Sequence, residues 1–214
     1  MILDFFSKYI AKEGKYPLFY SFLLFVITLF FIPSFFLKLL TFIIFIFFLY
    51  IYFTPLTKNE LIEENAVYSL IDGQIVDIKE TNDEKIVKIY KSLLDNSAIK
   101  SPFDSKVEKI DKIHGAFLKL SSLKSKKLNE RMRFLLKSKK IDIKISAICD
   151  NKGIFGFDIY KNEGIDTKFG ENIGYASNAL FEITFPKNVE LKVKVGDQVV
   201  GGINILGYIK EEVE

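Results

Sequence analysis

The fold is decided by the stretch Gln74-Ile75-Val76-Asp77-Ile78, in which apolar and polar residues alternate, and by its neighbour Lys85-Ile86-Val87-Lys88-Ile89. Two later stretches alternate in the same way, Ile141-Asp142-Ile143-Lys144-Ile145 and Glu190-Leu191-Lys192-Val193-Lys194-Val195. A period of two places successive side chains on opposite faces of a strand, one toward the core and one toward water. The pattern predicts a mainly β domain of antiparallel strands over residues 66–214.

One segment of this domain has a different composition. Residues 118–136 are rich in leucine and lysine, which favour helices. We therefore predict the one good helix of the domain over Leu118–Leu136, with a long basic loop as the alternative.

The N-terminal part of the chain is apolar. Residues 16–55 are interrupted only by Pro33, Ser34 and one lysine. As a single helix they would run about 60 Å at 1.5 Å per residue, about twice the thickness of a hydrocarbon core. The break at Pro33 predicts a two-helix transmembrane hairpin, with helices over 17–33 and 36–53. Because both helices are short, a shallow re-entrant hairpin stays open.

Lysines flank this hairpin on both sides. Lys8, Lys12 and Lys15 precede it and Lys58 follows it, whereas Lys38 lies in the turn. A hairpin returns both flanks to one side of the membrane, and positive flanks favour the cytoplasm. We predict a protein of the inner (cytoplasmic) membrane with its β domain on the cytoplasmic side. The predicted organisation is a cytoplasmic N-terminus (1–15), a two-helix transmembrane hairpin (16–55), a linker (56–65) and the β domain (66–214).

Composition excludes several kinds of function. One cysteine (Cys149) and one histidine (His114) exclude a disulfide framework, a cysteine-built zinc site and any mechanism with two imidazoles. The basic segment 124–144 lacks the interleaved aromatic residues of a nucleic-acid surface. Such a segment is either a solvated face or a surface that lies against anionic lipid headgroups. Its basic residues are Lys124, Lys126, Lys127, Arg131, Arg133, Lys137, Lys139, Lys140 and Lys144.

Two segments of the β domain are similar to each other. Ser69-Leu70-Ile71-Asp72 and Ser101-Pro102-Phe103-Asp104 share serine and aspartate at equal spacing, and apolar positions follow in both. Near the C-terminus, Val193-Lys194-Val195-Gly196-Asp197-Gln198-Val199 predicts a strand, a tight turn and a strand. Such hairpins resemble the small β-sandwich or barrel-like domains that include lipoyl carriers. A lipoyl-like adaptor would need an exposed lysine at a hairpin tip, and Lys106 matches that position only loosely.

Several motifs follow the predicted hairpin in a fixed order. They are Ser69-Leu70-Ile71-Asp72-Gly73, Ser101-Pro102-Phe103-Asp104-Ser105-Lys106-Val107-Glu108, Gly115-Ala116-Phe117-Leu118, Asn129-Glu130-Arg131, Phe181-Glu182-Ile183-Thr184-Phe185-Pro186 and Val195-Gly196-Asp197-Gln198-Val199-Val200-Gly201. Their order and spacing resemble those of the short bacterial and archaeal form of phosphatidylserine decarboxylase, over essentially the whole chain.

The resemblance implies an enzyme that cuts itself at a Gly-Ser bond and turns the serine into a pyruvoyl group. That carbonyl forms a Schiff base with the amine of phosphatidylserine and accepts electrons as CO2 leaves. An aspartate and a histidine assist the proton transfers. The resemblance places the aspartate on Asp72 and the histidine on Ser97, with His114 as a substitute outside the motif. The Gly-Ser bond falls on Asn178-Ala179 without gaps, or on Ala176-Ser177 with a small gap.

Two functions follow from this resemblance. The first is a decarboxylase of phosphatidylethanolamine synthesis, with Asp72 as catalytic residue and Ser177 as catalytic residue and pyruvoyl precursor. The second is a catalytically inactive member that binds lipid or acts as a scaffold. In both cases the expected partners are membrane phospholipids, phosphatidylserine among them, with no nucleic acid and no metal. A homo-oligomer stays open.

Overall fold

The computed structural model describes residues 9–55, 63–151 and 153–210. The flanking lysines Lys8 and Lys58 and most of the predicted linker lie outside these residues. Contacts divide the chain into two compact units, Met1–Pro55 and Leu56–Glu214.

The first unit is a pair of apolar helices, α1 (Lys15–Phe31) and α2 (Phe35–Tyr52), preceded by a short 3-10 helix at Lys12–Gly14. Both helices are long and apolar enough to cross a membrane. The connection between them contains Pro33, so the predicted hairpin is confirmed. Thr28 and Thr41 join the helices by a hydrogen bond of 2.8 Å between their hydroxyl oxygens.

The second unit is antiparallel β structure. Its strands are β1 (Ala66–Tyr68), β2 (Gly73–Glu80), β3 (Glu84–Lys91), β4 (Ala98–Lys100), β5 (Ser105–Ile113), β6 (Arg131–Lys137), β7 (Asp142–Cys149), β8 (Phe157–Ile159), β9 (Asp166–Thr167), β10 (Asn172–Ala176), β11 (Ala179–Pro186), β12 (Val189–Leu191), β13 (Gln198–Val199) and β14 (Ile205–Ile209). One helical turn, α3 (Ser125–Leu128), and a 3-10 turn, Gly153–Phe155, interrupt them.

The strands form three sheets. The largest has the order β13-β2-β3-β11-β7-β6-β5-β9, and two three-stranded sheets have the orders β1-β14-β12 and β4-β10-β8. Alternation along the strands places one face in the core: Val87, Leu136, Ile145 and Phe181 are each 2% exposed or less. The predicted mainly β fold is confirmed, because these runs pair as half-buried strands.

Two details of the sequence prediction are wrong. The helix expected over Leu118–Leu136 is limited to α3, because Met132, Phe134 and Leu136 alternate with more exposed residues and therefore form β6. The strand expected over 190–195 ends at Leu191. Lys106, which matches a lipoyl hairpin tip only loosely in sequence, lies inside β5, where it faces Lys137 of β6.

The two similar segments, 69–80 and 101–113, adopt the same backbone course. Each ends in a long strand that pairs with the next long strand of the large sheet. In β2 the register shifts at Val76, and in β5 it shifts at Glu108, the equivalent position. An extra residue at a bulge bends the strand and strengthens its twist, so both hairpins bend at the same point.

The first segment opens with three hydrogen bonds, which we call the first clamp. The Ser69 hydroxyl donates to the Ile71 carbonyl at 2.7 Å. The Ser69 carbonyl accepts from the Gly202 N–H at 2.7 Å. Asp72 Oδ1 accepts from the Gly201 N–H at 2.8 Å. The serine and the aspartate thus grip a glycine turn far along the chain.

The second segment repeats this arrangement as the second clamp. The Ser101 hydroxyl donates to the Phe103 carbonyl at 2.8 Å, and the Ser101 carbonyl accepts from the Gly170 N–H at 2.9 Å. Asp104 Oδ1 accepts from the Phe169 N–H at 2.8 Å. The spacing shared by the two sequences therefore encodes one local structure used twice.

Candidate functional site

Asp72 lies half-buried at the end of the first clamp. Burial raises the pKa of its carboxyl, the hydrogen bond from Gly201 and the charges of Lys100 and Lys91 lower it, and Asp95 raises it. Four charged side chains therefore act on one another. We call the following residues the motif cluster: Asp72, Lys91, Asp95, Ser97, Lys100, Ser177 and Asn178.

Lys91, the last residue of β3, has no exposed surface. Its Nζ donates to the carbonyl oxygens of Ser92 and Asp95, both at 2.9 Å, and to that of Ser177 at 3.2 Å. Burial lowers its pKa to about 8, against the charges of Asp95 and Asp72. At neutral pH the group is therefore an ammonium, with one acceptor for each of its three N–H bonds.

Lys100 and Ser97 lie on or beside β4. Lys100 is 5% exposed, and its Nζ donates to the Gly201 carbonyl at 3.0 Å. Burial lowers the pKa of Lys100, and the charge of Asp72 raises it. Ser97 is 1% exposed and its carbonyl accepts from the Ala176 N–H at 2.9 Å. Its hydroxyl has no hydrogen-bond partner in the described part of the chain.

Ser177 is fully buried in the turn between β10 and β11. Its N–H donates to the Gly156 carbonyl at 2.9 Å, and its hydroxyl donates to the same oxygen at 3.1 Å. Ala179 opens β11 and is paired with Lys91 on one side and Cys149 on the other. Residues directly opposite each other on neighbouring strands carry their side chains on the same face of a sheet, so the Lys91 side chain runs beside the small Ala179 side chain.

Asn178 ties this turn to the end of β3. Its Nδ2 donates to the Lys91 carbonyl at 2.9 Å and to the Tyr90 hydroxyl at 3.3 Å. The Tyr90 hydroxyl in turn donates to Asp150 Oδ2 at 2.8 Å. Burial raises the pKa of Tyr90, so this hydroxyl stays protonated at neutral pH. The network holds the turn and β3 in one position.

The structure does not bring His114 to the motif cluster. Its side chain is 81% exposed, and its Nδ1 lies 3.8 Å from Glu130 Oε1. Cys149 is buried, and burial raises the pKa of its thiol, which disfavours the reactive thiolate. Residues 9–55, 63–151 and 153–210 contain no group of three histidine, cysteine, aspartate or glutamate side chains that could hold a metal ion.

Three charged members of the cluster, Lys91, Asp95 and Lys100, were missed at the sequence level. A signal for Lys91 exists in the alternation of β3, where Val87 and Ile89 face the core and Lys91 is the next inward position. A lysine on the inward side of a strand needs buried partners. Nothing in the sequence indicates that its partners are backbone carbonyls.

The basic segment forms an exposed surface. Lys126 and Lys127 lie on α3, and Arg133 points outward from β6. Leu123, directly before this group, is 98% exposed. Within the described residues, Lys126, Lys127 and Arg133 make no ion pair, whereas Lys144 pairs with Glu84 at 3.0 Å. An exposed leucine beside unpaired lysines is a chemistry that suits a lipid surface.

The comparisons with known proteins agree on one family. The model of the phosphatidylserine decarboxylase family matches residues 47–207. A phosphatidylserine decarboxylase proenzyme of Ehrlichia chaffeensis is 29% identical over 158 residues, which cover 69% of this chain and 70% of that protein. One of Carboxydothermus hydrogenoformans is 28% identical over 159 residues, 69% of this chain and 73% of that protein.

The name of an archaeal relative refers to a different lipid. A protein of Methanosarcina mazei, provisionally named an archaetidylserine decarboxylase proenzyme, is 28% identical over 144 residues, 66% of this chain and 65% of that protein. No solved structure matches the chain significantly.

Proposed function

The chain belongs to the phosphatidylserine decarboxylase family, and we propose that it is a membrane-bound member that binds serine phospholipids without cleaving itself. It serves phospholipid synthesis as a lipid-binding or scaffold protein. The proposal is carried by the residues of this chain: the resemblance places Ser97 at the family's histidine and, without gaps, Ala179 at its serine, with Ser177 as the alternative if a small gap is allowed. A serine hydroxyl is not a base near neutral pH, and a methyl group has no oxygen with which to attack a carbonyl.

The turn before β11 does not fit a pyruvoyl group. The nucleophile would have to be Ser177, since Ala179 cannot be converted. The Ser177 hydroxyl and N–H both donate to the Gly156 carbonyl. A carbonyl oxygen is not a base that could remove the hydroxyl proton and activate the serine. No step of the proposed function therefore passes through a pyruvoyl group.

The second candidate function is the enzymatic one, self-cleavage between Ala176 and Ser177 followed by decarboxylation with the help of Asp72. One observation favours it: Lys91 bonds to the Ser177 carbonyl and its charge acts on Asp72. The two sequence-derived candidates thus belong to one cluster, although His114 does not.

The intact mass of the full chain, purified in detergent, separates the two functions. We expect a single species of 24.7 kDa. Two chains, the smaller comprising residues 177–214 with a blocked N-terminus, would overturn the proposal and establish self-processing. The control variant Ser177→Ala abolishes that cleavage if Ser177 is the nucleophile and leaves an uncleaved chain unchanged.

The basic surface around α3 is the proposed lipid contact. The sequence prediction assigns Lys124, Lys126, Lys127, Arg131, Arg133, Lys137, Lys139 and Lys140 to it. Of these, Lys137 pairs with Glu108 and Lys140 with Glu64, so the proposed contact is centred on Lys124, Lys126 and Lys127. Full chain is released from nanodiscs of mixed phosphatidylcholine, phosphatidylethanolamine and phosphatidylserine, and the retained lipids are weighed by native mass spectrometry. We expect enrichment of phosphatidylserine that is lost in the triple variant Lys124→Gln, Lys126→Gln, Lys127→Gln. Equal retention of all three lipids would contradict the proposal.

The proposed location is the inner membrane with the β domain on the cytoplasmic side. Support comes from the two apolar helices and from the lysines that flank them. The single native cysteine is buried, so a variant with Asp83→Cys, in the exposed turn between β2 and β3, carries one accessible thiol. We expect a membrane-impermeant maleimide to label it in inside-out vesicles and not in intact spheroplasts. Labelling in intact spheroplasts would place the domain outside.

A further inference from the structure

The acceptors around the Lys91 ammonium group come from two separate parts of the chain. Ser92 and Asp95 belong to the loop after β3, and Ser177 belongs to the turn before β11. Three carbonyl oxygens within 3.2 Å are the number that a primary ammonium can use. A quaternary ammonium has no N–H to donate, and a neutral amine can donate only two hydrogen bonds. The geometry therefore selects one class of ion.

The charges that face this group agree with its geometry. The charges of the Asp95 and Asp72 carboxylates both act on Lys91. The other buried cation near Asp72 is Lys100, whose Nζ is directed to the Gly201 carbonyl. The site thus combines three dipoles with two negative charges. These groups offset part of the cost of removing the ammonium from water, although burial remains the larger effect on its charge.

The lysine side chain itself occupies the space next to the three carbonyls. The side chain runs from β3 beside Ala179, the small partner residue on β11. Both residues have no exposed surface. No second ammonium can reach the three carbonyls while Lys91 is in place, since like charges at contact distance repel strongly in a buried setting.

We propose that the three carbonyls form a primary-ammonium site that the chain fills with its own Lys91. The site is a property of the β domain and does not depend on the proposed function. Once the lysine side chain is removed, a small primary alkylammonium ion should bind to the same three carbonyls.

Chemical rescue tests the site. Lys91→Ala removes three carbons and the nitrogen, the atoms of n-propylammonium. In the full chain in detergent we expect this variant to melt at lower temperature than the wild type. About 100 mM n-propylammonium chloride should restore at least half of the lost melting temperature, as expected for a ligand that binds only the folded state. The wild type should not respond.

Matched controls define the specificity of the rescue. Tetramethylammonium and 1-propanol should not restore Lys91→Ala, since the first lacks N–H donors and the second lacks charge. Lys91→Met, which fills the space, should not respond to n-propylammonium. Lys100→Ala should respond less than Lys91→Ala, because Lys100 has one carbonyl acceptor. Equal rescue by 1-propanol, or no rescue by n-propylammonium, would overturn the inference.

A second measurement covers the case in which Lys91→Ala does not fold. In full chain labelled at lysine Nζ with nitrogen-15, we expect one ammonium signal at neutral pH whose protons exchange slowly with water. The signal is assigned by its absence in Lys91→Met. A neutral amine or fast exchange would contradict the site. Self-cleavage in the intact-mass experiment would instead contradict the proposed function and leave this signal unchanged, so the two failures are distinguishable.

Discussion

The two clamps are the same local structure in different surroundings. In each, a serine hydroxyl bonds two residues ahead, and an aspartate accepts a distant backbone N–H at 2.8 Å. Asp72 of the first clamp is half-buried, and burial raises its pKa. Asp104 of the second clamp is exposed, and the hydrogen bond from Phe169 together with Lys168 holds its pKa below the usual range.

The difference shows that the sequence motif determines the local structure but not the electrostatic surroundings of its aspartate. The spacing of serine and aspartate produces the clamp, and it does so in both places. What distinguishes the first clamp is its neighbourhood, in which Lys91 and Lys100 are buried beside Asp72. An aspartate in this motif is therefore a structural residue first, and any further role of Asp72 depends on residues outside the motif.

The largest expected effect concerns Lys91 of the first hairpin (β2 and β3) and Ser138, the residue at the equivalent place in the second hairpin (β5 and β6). The equivalence follows from the strand pairing. Tyr90, just before Lys91, faces Gln74, and Lys137, just before Ser138, faces Lys106, the counterpart of Gln74. Lys91→Met removes the three hydrogen bonds of the ammonium and its charge beside Asp72 and Asp95, and should lower the free energy of unfolding by about 3 kcal/mol. Ser138→Ala should lower it by about 1 kcal/mol. Urea unfolding of the full chain in detergent measures both, and equal effects would contradict the special role of the first hairpin.

The next effect concerns the clamp serines, both fully buried. The Ser101 hydroxyl also lies 3.0 Å from the Thr167 hydroxyl and 3.2 Å from the Ser105 hydroxyl, whereas among the described residues the Ser69 hydroxyl bonds to the Ile71 carbonyl alone. We expect Ser101→Ala to lower the free energy of unfolding by about 2 kcal/mol and Ser69→Ala by about 1 kcal/mol. The reverse order in urea unfolding would show that the hydroxyl groups of Ser105 and Thr167, which bond to each other, compensate for the loss of the Ser101 hydroxyl.

A smaller loss of stability, equal at the two positions, is expected at Gly202 and Gly170, whose N–H groups donate to the clamp serines. Gly202 has φ 74° and Gly170 has φ 70°, the left-handed region in which an alanine is strained by about 1 kcal/mol. Gly202→Ala and Gly170→Ala should therefore lower the melting temperature by similar amounts. A much larger loss in Gly202→Ala would show that the first clamp stabilises more than its own turn.

β2, β3 and β7 could be predicted from the alternation in their sequences, and so could the helical hairpin, whereas the alternation over 190–195 predicts a longer strand than the one that ends at Leu191. β6 could not, since its leucines and basic residues also favour a helix and only packing on β5 and β7 decides. The repeat of Ser69 and Ser101 was visible as a spacing, but its meaning required the distant glycines. Lys91 presents the same difficulty, because its acceptors at Ser92 and Ser177 are joined by the fold alone.

The smallest effect is the pH dependence of the stability that is lost in Asp72→Asn and in Asp104→Asn, which we expect to have opposite signs. Asparagine keeps the accepting oxygen of each clamp and removes the charge. The pKa of Asp72 is raised in the fold, so the native state binds more protons than the unfolded state just above the usual value of about 3.9. Its contribution to stability is present at lower pH and is lost as pH rises through that window.

Asp104 should behave oppositely. Its pKa is lowered, so its contribution is present above about 3.9 and is lost as pH falls through the lowered native value. Unfolding free energies of wild type minus variant, measured from acid to neutral pH, should therefore fall with rising pH for Asp72 and rise with it for Asp104. Because the clamps have the same hydrogen bonds, curves of the same sign would mean that the motif, and not the burial of Asp72, determines how this carboxylate titrates.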